Sequence, residues 1–508
     1  MKLKVVRLAA LAIAAAMGST STTSSEAYAE VRLPHILSDH AVLQRDSPVH
    51  VWGWADPGEK IAIVFHDQKR SVTANEYGEW SLWLAPESAG GPFTLAIHGA
   101  TGAAINFTDI LVGDVWFASG QSNMEMPMSG FPGSAVLKNA DAEIAAANLP
   151  QVRLLVVEKK AASTPQQDLT GTWSTCTPAT AAEFSAVAYF FGRTIQQKEH
   201  VPIGLIDSTW GGTPVEAWTS LDAISSDAGL MPEMAFWAHF ADQQSRLPAT
   251  IAAEKHADAE ALAAGKPKPG HPWHPYADSW QPAALFNGMI APAVPYTIKG
   301  AIWYQGESNS APDRAPYYSR FFSAMIADWR NQWHQGDFPF LFAQISSFNS
   351  PGERYGQIRD QQRRTLAVAN TAMAVTLDVG EAGNVHPPDK QTVGARLALA
   401  AESVAYRKPV EFSGPLFREV TREGAKLRVW FDHAGTALHA KGAELLGFEI
   451  AGPDGNFVPA QAAIDGQTVV VSSPQVTEPV NVRYAWPSAT PANLYNSADL
   501  PASTFTSE

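Results

Sequence analysis

The chain has 508 residues, one cysteine, 36 basic against 50 acidic residues and a formal net charge of −14. That acidity excludes a nucleic-acid partner, which needs a basic face to displace counterions, and the one Lys/Arg cluster, Arg363 and Arg364 in "DQQRRT", reads as a solvated helix face. The single thiol, Cys176, excludes an intrachain disulfide and a thiolate metal site, and a chain this long has core enough to fold without either.

The first residues, "MKLKVVRLAALAIAAAMGST", set Lys2, Lys4 and Arg7 ahead of an apolar run, and "SEAYAE" supplies Ala27 and Ala29 as a small-x-small cleavage site. This predicts an export signal over 1–29 and a periplasmic or secreted mature protein. The run from Leu8 to Met17 is too short for a bilayer, and no later stretch approaches the roughly 20 apolar residues a span requires, so no membrane partner is expected. Residues 30–107 alternate apolar and polar positions around turns such as Pro57-Gly58, which predicts an N-terminal β-sandwich. From 108 to 406 apolar strands such as "DILVGDVWFAS", "VPIGLIDST" and "IKGAIWYQGES" alternate with helical stretches, the pattern of a three-layer α/β domain with a parallel sheet. Residues 221–285 interrupt it with an amphipathic, helical and finally Pro-rich insertion. There "HPWHP" places His271 and His274 in a loop without acidic or Cys companions, so no metal is expected. After 407 short alternating runs and Gly-rich turns return, predicting a C-terminal β-sandwich over 407–508.

Within the α/β region four strands end in small or polar clusters. "VWFASGQSNMEMP" stops at Gly120 and presents Ser122, which is either an ordinary strand-end turn residue or a nucleophile. "GLIDSTWGGTPVEAW" reaches Gly211-Gly212, where a backbone N–H can approach an oxyanion, although any tight turn uses such a pair. "GAIWYQGESNS" offers Gln305 as an amide donor, or as a polar residue tucked beneath a loop. "AVTLDVGEAGNVHPPDK" carries Asp378 and then His386, a general base or a helix-entry residue. Four polar ends on one sheet edge point to a shared pocket.

In this order, "GQSNMEMP", "GLIDSTWGGTPVEAW", "GAIWYQGESN" and "D…HPPDKQTVGARLA" resemble the sialate O-acetylesterase family, carbohydrate esterases of the SGNH hydrolase superfamily. The flanks "LPHILSDHAVLQRDSPVHVWGWADPGE" and "VRYAW…NLYNSADLPASTF" are similar to that family's start and end, so the resemblance spans nearly all of 30–508. It implies a three-layer SGNH hydrolase domain between two β-sandwich-like domains. It further implies Ser122 as nucleophile, an oxyanion hole from Ser122, Gly212 and Gln305, and His386 as base, without a cofactor.

One departure concerns the triad's acid. Many SGNH hydrolases set an Asp three residues before the histidine, where this chain has Gly383. Asp378, at the end of the strand leading to His386, is the expected acid and Glu307 the alternative. The implied reaction removes O-acetyl groups from sugars, either sialic acid or a plant polysaccharide such as xylan or xyloglucan, through an acetyl-enzyme. Trp210, Trp218 and Trp280, with Trp273 and Tyr276 beside them, are expected to stack on sugar rings, against the plainer reading that they pack the core. Two other functions remain open at this point: an inactive carbohydrate-binding protein and a GDSL-type lipase or thioesterase. An unperturbed His386 would lose its function as pH falls through 6 to 7. Oligomeric state leaves no mark in the sequence.

Overall fold

The computed structural model describes residues 31–508 apart from 101, 133–135, 272, 275 and 276. The export signal read over 1–29 and Tyr276 lie outside the described residues. The central sheet follows a path of seven strands: β1 (Ile105–Gly120), β2 (Leu149–Val156), β3 (Trp173–Cys176), β4 (Ile203–Thr209), β5 (Gly300–Tyr304), β6 (Phe340–Ala343) and β7 (Thr371–Ala374), in the order β7-β6-β5-β1-β4-β2-β3. The helices used below are α1 (Ser122–Glu125), α2 (Ala186–Glu199), α3 (Met231–Ala263), α4 (Tyr318–Trp333), α5 (Tyr355–Arg364) and α6 (Lys390–Val404).

β1 joins two environments. Its first residues alternate in exposure and pair antiparallel with Gly90–His98; from Ile110 onward every residue is buried. That change is what a strand shows on passing from a one-sided sheet to the middle of a sheet covered on both faces. The second half lies between the parallel neighbours β4 and β5. The boundary expected at 107–108 therefore falls inside a continuous strand. The sheet is mixed where a purely parallel one was expected: β3 runs antiparallel to β2 at one edge, and Gly90–His98 runs antiparallel to β1.

Consecutive side chains on β1 point to opposite faces, and they show how the sheet is covered. Trp116 meets Phe191 of α2 edge-on at 4.9 Å, whereas Phe117 meets Trp329 and Trp333 of α4 at 5.7 and 5.4 Å. Helix α6 lies against α2, so close that a Cβ on Gly394 would stand 2.7 Å from the Phe190 Cβ. Both helices start on side-chain caps: Ser185 Oγ accepts from Ala188 N–H, and the Asp389 carboxylate accepts from Thr392 N–H. Such caps satisfy amide groups that a helix leaves unpaired at its start. No described helix is long and apolar enough to cross a membrane.

Between β4 and β5, α3 runs for 33 residues with Pro248 inside it, and Trp237 and Phe240 form a small apolar cluster with Trp280. The C-terminal region holds two four-stranded sheets. Phe505, on one of them, stacks at 4.6 Å on Phe417 of the other. This region is tied to the α/β core by Arg359 of α5. The side chain is fully buried, pairs with no carboxylate among the described residues, and donates to the carbonyls of Ala485, Pro487 and Ser488 and to Thr504 Oγ1. Burial pushes its pKa down to about 9. Replacing Arg359 with Met removes four donated bonds; Ala485 O keeps the Thr504 hydroxyl and Ser488 O keeps Phe348 N–H, so the penalty for an unpaired buried acceptor, about 1–3 kcal/mol, falls on Pro487 O. The expected result is a thermal midpoint lowered by several degrees together with faster proteolysis of the segment after 407, measured by calorimetry and limited digestion.

Candidate active site

The site begins where β1 stops. Gly120 takes φ of 135°, and a Cβ there would stand 2.3 Å from the Tyr304 carbonyl oxygen, so the turn needs glycine. The next residue, Gln121, donates its N–H to that carbonyl at 3.0 Å and accepts from the N–H groups of Gly306 and Ser308 through Oε1. These bonds lock the "GQSN" turn to the "QGES" turn. Ser122 is the first residue of α1, where backbone N–H groups have no intrahelical acceptor.

His386, 264 residues away in sequence, places Nε2 2.8 Å from Ser122 Oγ. It sits just ahead of the capped start of α6, and its loop is held on both sides by amides. Its N–H donates to Asn384 Oδ1 at 3.0 Å, and Asn123 Nδ2 donates to the preceding carbonyl, Val385 O, at 3.0 Å. Phe131 meets the imidazole edge-on at 5.2 Å. Burial, then the positive charge of Lys390, push the imidazole pKa down to about 4.

Behind this pair lies a buried polar cluster. Lys390 Nζ donates to Asn123 Oδ1 at 2.5 Å, and Asn123 Nδ2 donates to Glu307 Oε1 at 2.6 Å. Burial pushes Lys390 down to about 7, opposed by Glu307, and the same burial raises the Glu307 carboxyl. Glu307 Oε2 has no hydrogen-bond partner among the described residues.

The cleft above has a volume of about 1130 Å³ and is lined by Ser122, His386, Gly212 and Glu307, with Trp210, Trp273 and Trp280 on its walls. Gly212 lies at φ of 71° and its carbonyl accepts from Trp280 Nε1 at 2.5 Å; its own N–H has no partner among the described residues. The neighbouring Gly211 N–H is bound by the Glu125 carboxylate.

Three expected residues stand elsewhere. Asp378 does not bond to His386: both its oxygens accept from Arg396 of α6, at 2.6 and 2.7 Å, because the chain turns after β7 and carries Asp378 to the side of that helix. Gln305 is fully buried below the cleft. Its amide donates to Thr213 O and Asn309 Oδ1, and its carbonyl accepts from the Tyr318 hydroxyl, which leaves no amide hydrogen for an oxyanion. Trp218 is core, meeting Trp303 edge-on at 6.0 Å and donating Nε1 to Thr213 Oγ1. Sequence reasoning passed over Asn123, Lys390, Glu125 and Phe131. The position of Asn123 immediately after Ser122, and of Lys390 four residues after His386, was the available signal for two of them.

A family model described as carbohydrate esterase, sialic acid-specific acetylesterase, matches residues 275–403. Human sialate O-acetylesterase is 32% identical over 427 residues, covering 76% of this chain and 73% of its own, and the mouse protein is 30% identical over 426 residues, covering 77% and 76%. Among solved structures, a carbohydrate acetylesterase from Xanthomonas citri superimposes with a TM-score of 0.80 at 37% identity, over 94% of this chain and all of the other. With an α/β sheet whose carboxyl edge opens into this cleft, the chain is a carboxylic ester hydrolase of the carbohydrate-esterase class. It belongs to the sialate O-acetylesterase family.

Two outcomes follow from the geometry. Neutral imidazole is the form able to take a proton, and its lowered pKa keeps it neutral further into acid. On an aryl acetate, kcat/KM should stay level from pH 7 to 5 and fall through about pH 4, with folding followed by circular dichroism. Asp378→Asn should lower the thermal midpoint by breaking the Arg396 pair while changing kcat less than about tenfold, against the ~10⁴-fold loss that marks an orienting acid.

Proposed function

We propose that the enzyme removes O-acetyl groups from sugars by a serine mechanism, and the observation that carries this reading is the 2.8 Å contact between Ser122 Oγ and His386 Nε2. Ser122 Oγ attacks the acetyl carbonyl carbon as its proton passes to His386 Nε2. The N–H groups of Ser122 and Gly212 receive the oxyanion; with Gln305 already committed, these two backbone donors replace the trio expected from sequence. Collapse breaks the bond to the sugar oxygen, which leaves with the proton from His386. Water, deprotonated by the same imidazole, then attacks the acetyl-enzyme and releases acetate.

No carboxylate completes a triad in this reading. The two amide anchors on the His386 loop orient the imidazole, with Asn123 held in turn by Lys390 and Glu307. Trp210 and Trp273 supply faces for sugar rings on the alcohol side, consistent with relatives named as sialate O-acetylesterase and carbohydrate acetylesterase, whereas Trp280, expected to do the same, is buried with Phe240 stacked on its ring at 5.2 Å and Arg314 over it. The same reading takes the flanking β regions as sandwich domains on either side of the esterase domain in the chain and, from the leader at 1–29, has the enzyme act outside the cytoplasm.

Ser122→Ala should lower kcat on an acetylated sugar by about 10⁴-fold or more with an unchanged thermal midpoint. Quenched wild-type enzyme turning over an aryl acetate should carry one acetyl group on the peptide containing Ser122, detected by mass spectrometry. Near-native turnover by the alanine variant would sink the serine mechanism.

A further inference from the structure

The cleft's electrostatics narrow the sugar it accepts, an inference that rests on the esterase reading above. Among the described residues lining it, two side chains besides His386 are basic, Lys159 and Arg314, and each is held by a carboxylate of the chain. Arg314 is buried against Glu216 and also donates to Ser308 O at 2.6 Å. Lys159 Nζ stands 2.5 Å from Glu125 Oε1 and 5.8 Å from the centre of the Trp210 ring. The other Glu125 oxygen is fixed by Gly211 N–H. Glu125 is also close to the reacting group: a Cβ on Gly211 would stand 3.0 Å from Glu125 Oε2 and 3.2 Å from Ser122 Cβ. Two further carboxyl groups line the cleft, Glu307 and Glu353, and Glu353 accepts from Ser310 Oγ at 2.7 Å.

A sugar carboxylate entering this space has two routes to a cation. It can share Lys159 with Glu125, and then sits against the like charge of a carboxylate whose side chain is only one-fifth exposed, or displace Glu216 from a buried Arg314. An uncharged sugar faces neither cost. Its hydroxyls can accept from Lys159 and donate to Glu125 together while a ring face lies on Trp210. We propose that the Glu125–Lys159 pair is a charge filter beside Ser122, which selects O-acetylated sugars without a carboxylate and disfavours free sugar acids, sialic acid among them.

Acetate release measured on two matched pairs tests this: 9-O-acetyl-N-acetylneuraminic acid with its C1 amide, and the methyl glycoside of 2,3,4-tri-O-acetylglucuronic acid with its C6 amide. Wild-type kcat/KM should be about tenfold higher for the amide in both pairs, the size expected for a like charge several ångströms away at a partly exposed site. Glu125→Gln keeps an acceptor for Gly211 but frees Lys159, and should bring the ratio to within about twofold. Lys159→Met leaves Glu125 uncompensated and should widen it. A preference for the acids, equal rates within the wild-type pairs, ratios unmoved by both substitutions, or no turnover of any of the four sugars overturns the filter. Turnover of 4-nitrophenyl acetate separates the two levels: its absence in the wild type counts against the esterase reading, and its presence beside a wrong ratio counts against the filter alone.

Discussion

The site depends on how one strand ends. β1 reaches the carboxyl edge of the sheet between two parallel neighbours, and at Gly120 its backbone passes so close to Tyr304 O that no side chain fits. The chain must turn there. Gln121 then satisfies the N–H groups of the adjoining "QGES" turn, so two strand ends become one rigid rim. Ser122 is presented from that rim at the start of a one-turn helix and lines the same cleft that Gly212 reaches from the turn after β4. A side chain held this way has little orientational freedom left.

The polar groups beneath the rim hold the His386 loop in place through amide hydrogen bonds. A lysine as buried as Lys390 is costly unless its donors are used, and the molecule uses one on Asn123, whose amide then reaches both Glu307 and the carbonyl before His386. The Asn123 side chain thus couples a buried charge pair to the loop carrying His386. The Gln305–Asn309–Glu216–Arg314 chain does the same service for the cleft floor, with Gln305 as one of its links. Removing a member of either cluster exposes the others to the full cost of unpaired burial, so both act as units.

Much of the architecture was legible in one dimension, because burial on both faces leaves continuous apolar runs and strand-end turns leave Gly and small polar residues. The runs before Gly120, Thr209 and Tyr304 announced three of the seven central strands and their clusters. The antiparallel β3 edge and the passage of β1 through the 107–108 boundary were not legible, since a short amphipathic strand carries no sign of its partner's direction. The tryptophans were the least readable. Trp210 and Trp218 lie eight residues apart with similar neighbours, yet one lines the cleft and the other is packed against Trp303.

The sequence by itself determined the acidic, single-thiol character of the chain, the alternation of strands and helices, the family resemblance, and Ser122 and His386 as the pair to bring together. Only the tertiary structure decided the partners of Asp378, Gln305 and Glu307. Each is a polar side chain near a strand end, and such a residue bonds to whichever donor or acceptor the packing brings within about 3 Å. For Asp378 that donor is Arg396, one helical segment further on; for Gln305 it is the Thr213 and Asn309 framework; for Glu307 it is Asn123. Spacing along the chain fixes none of these distances, because the relative placement of α1, the β4 turn and α6 is set by how their apolar faces pack on the sheet.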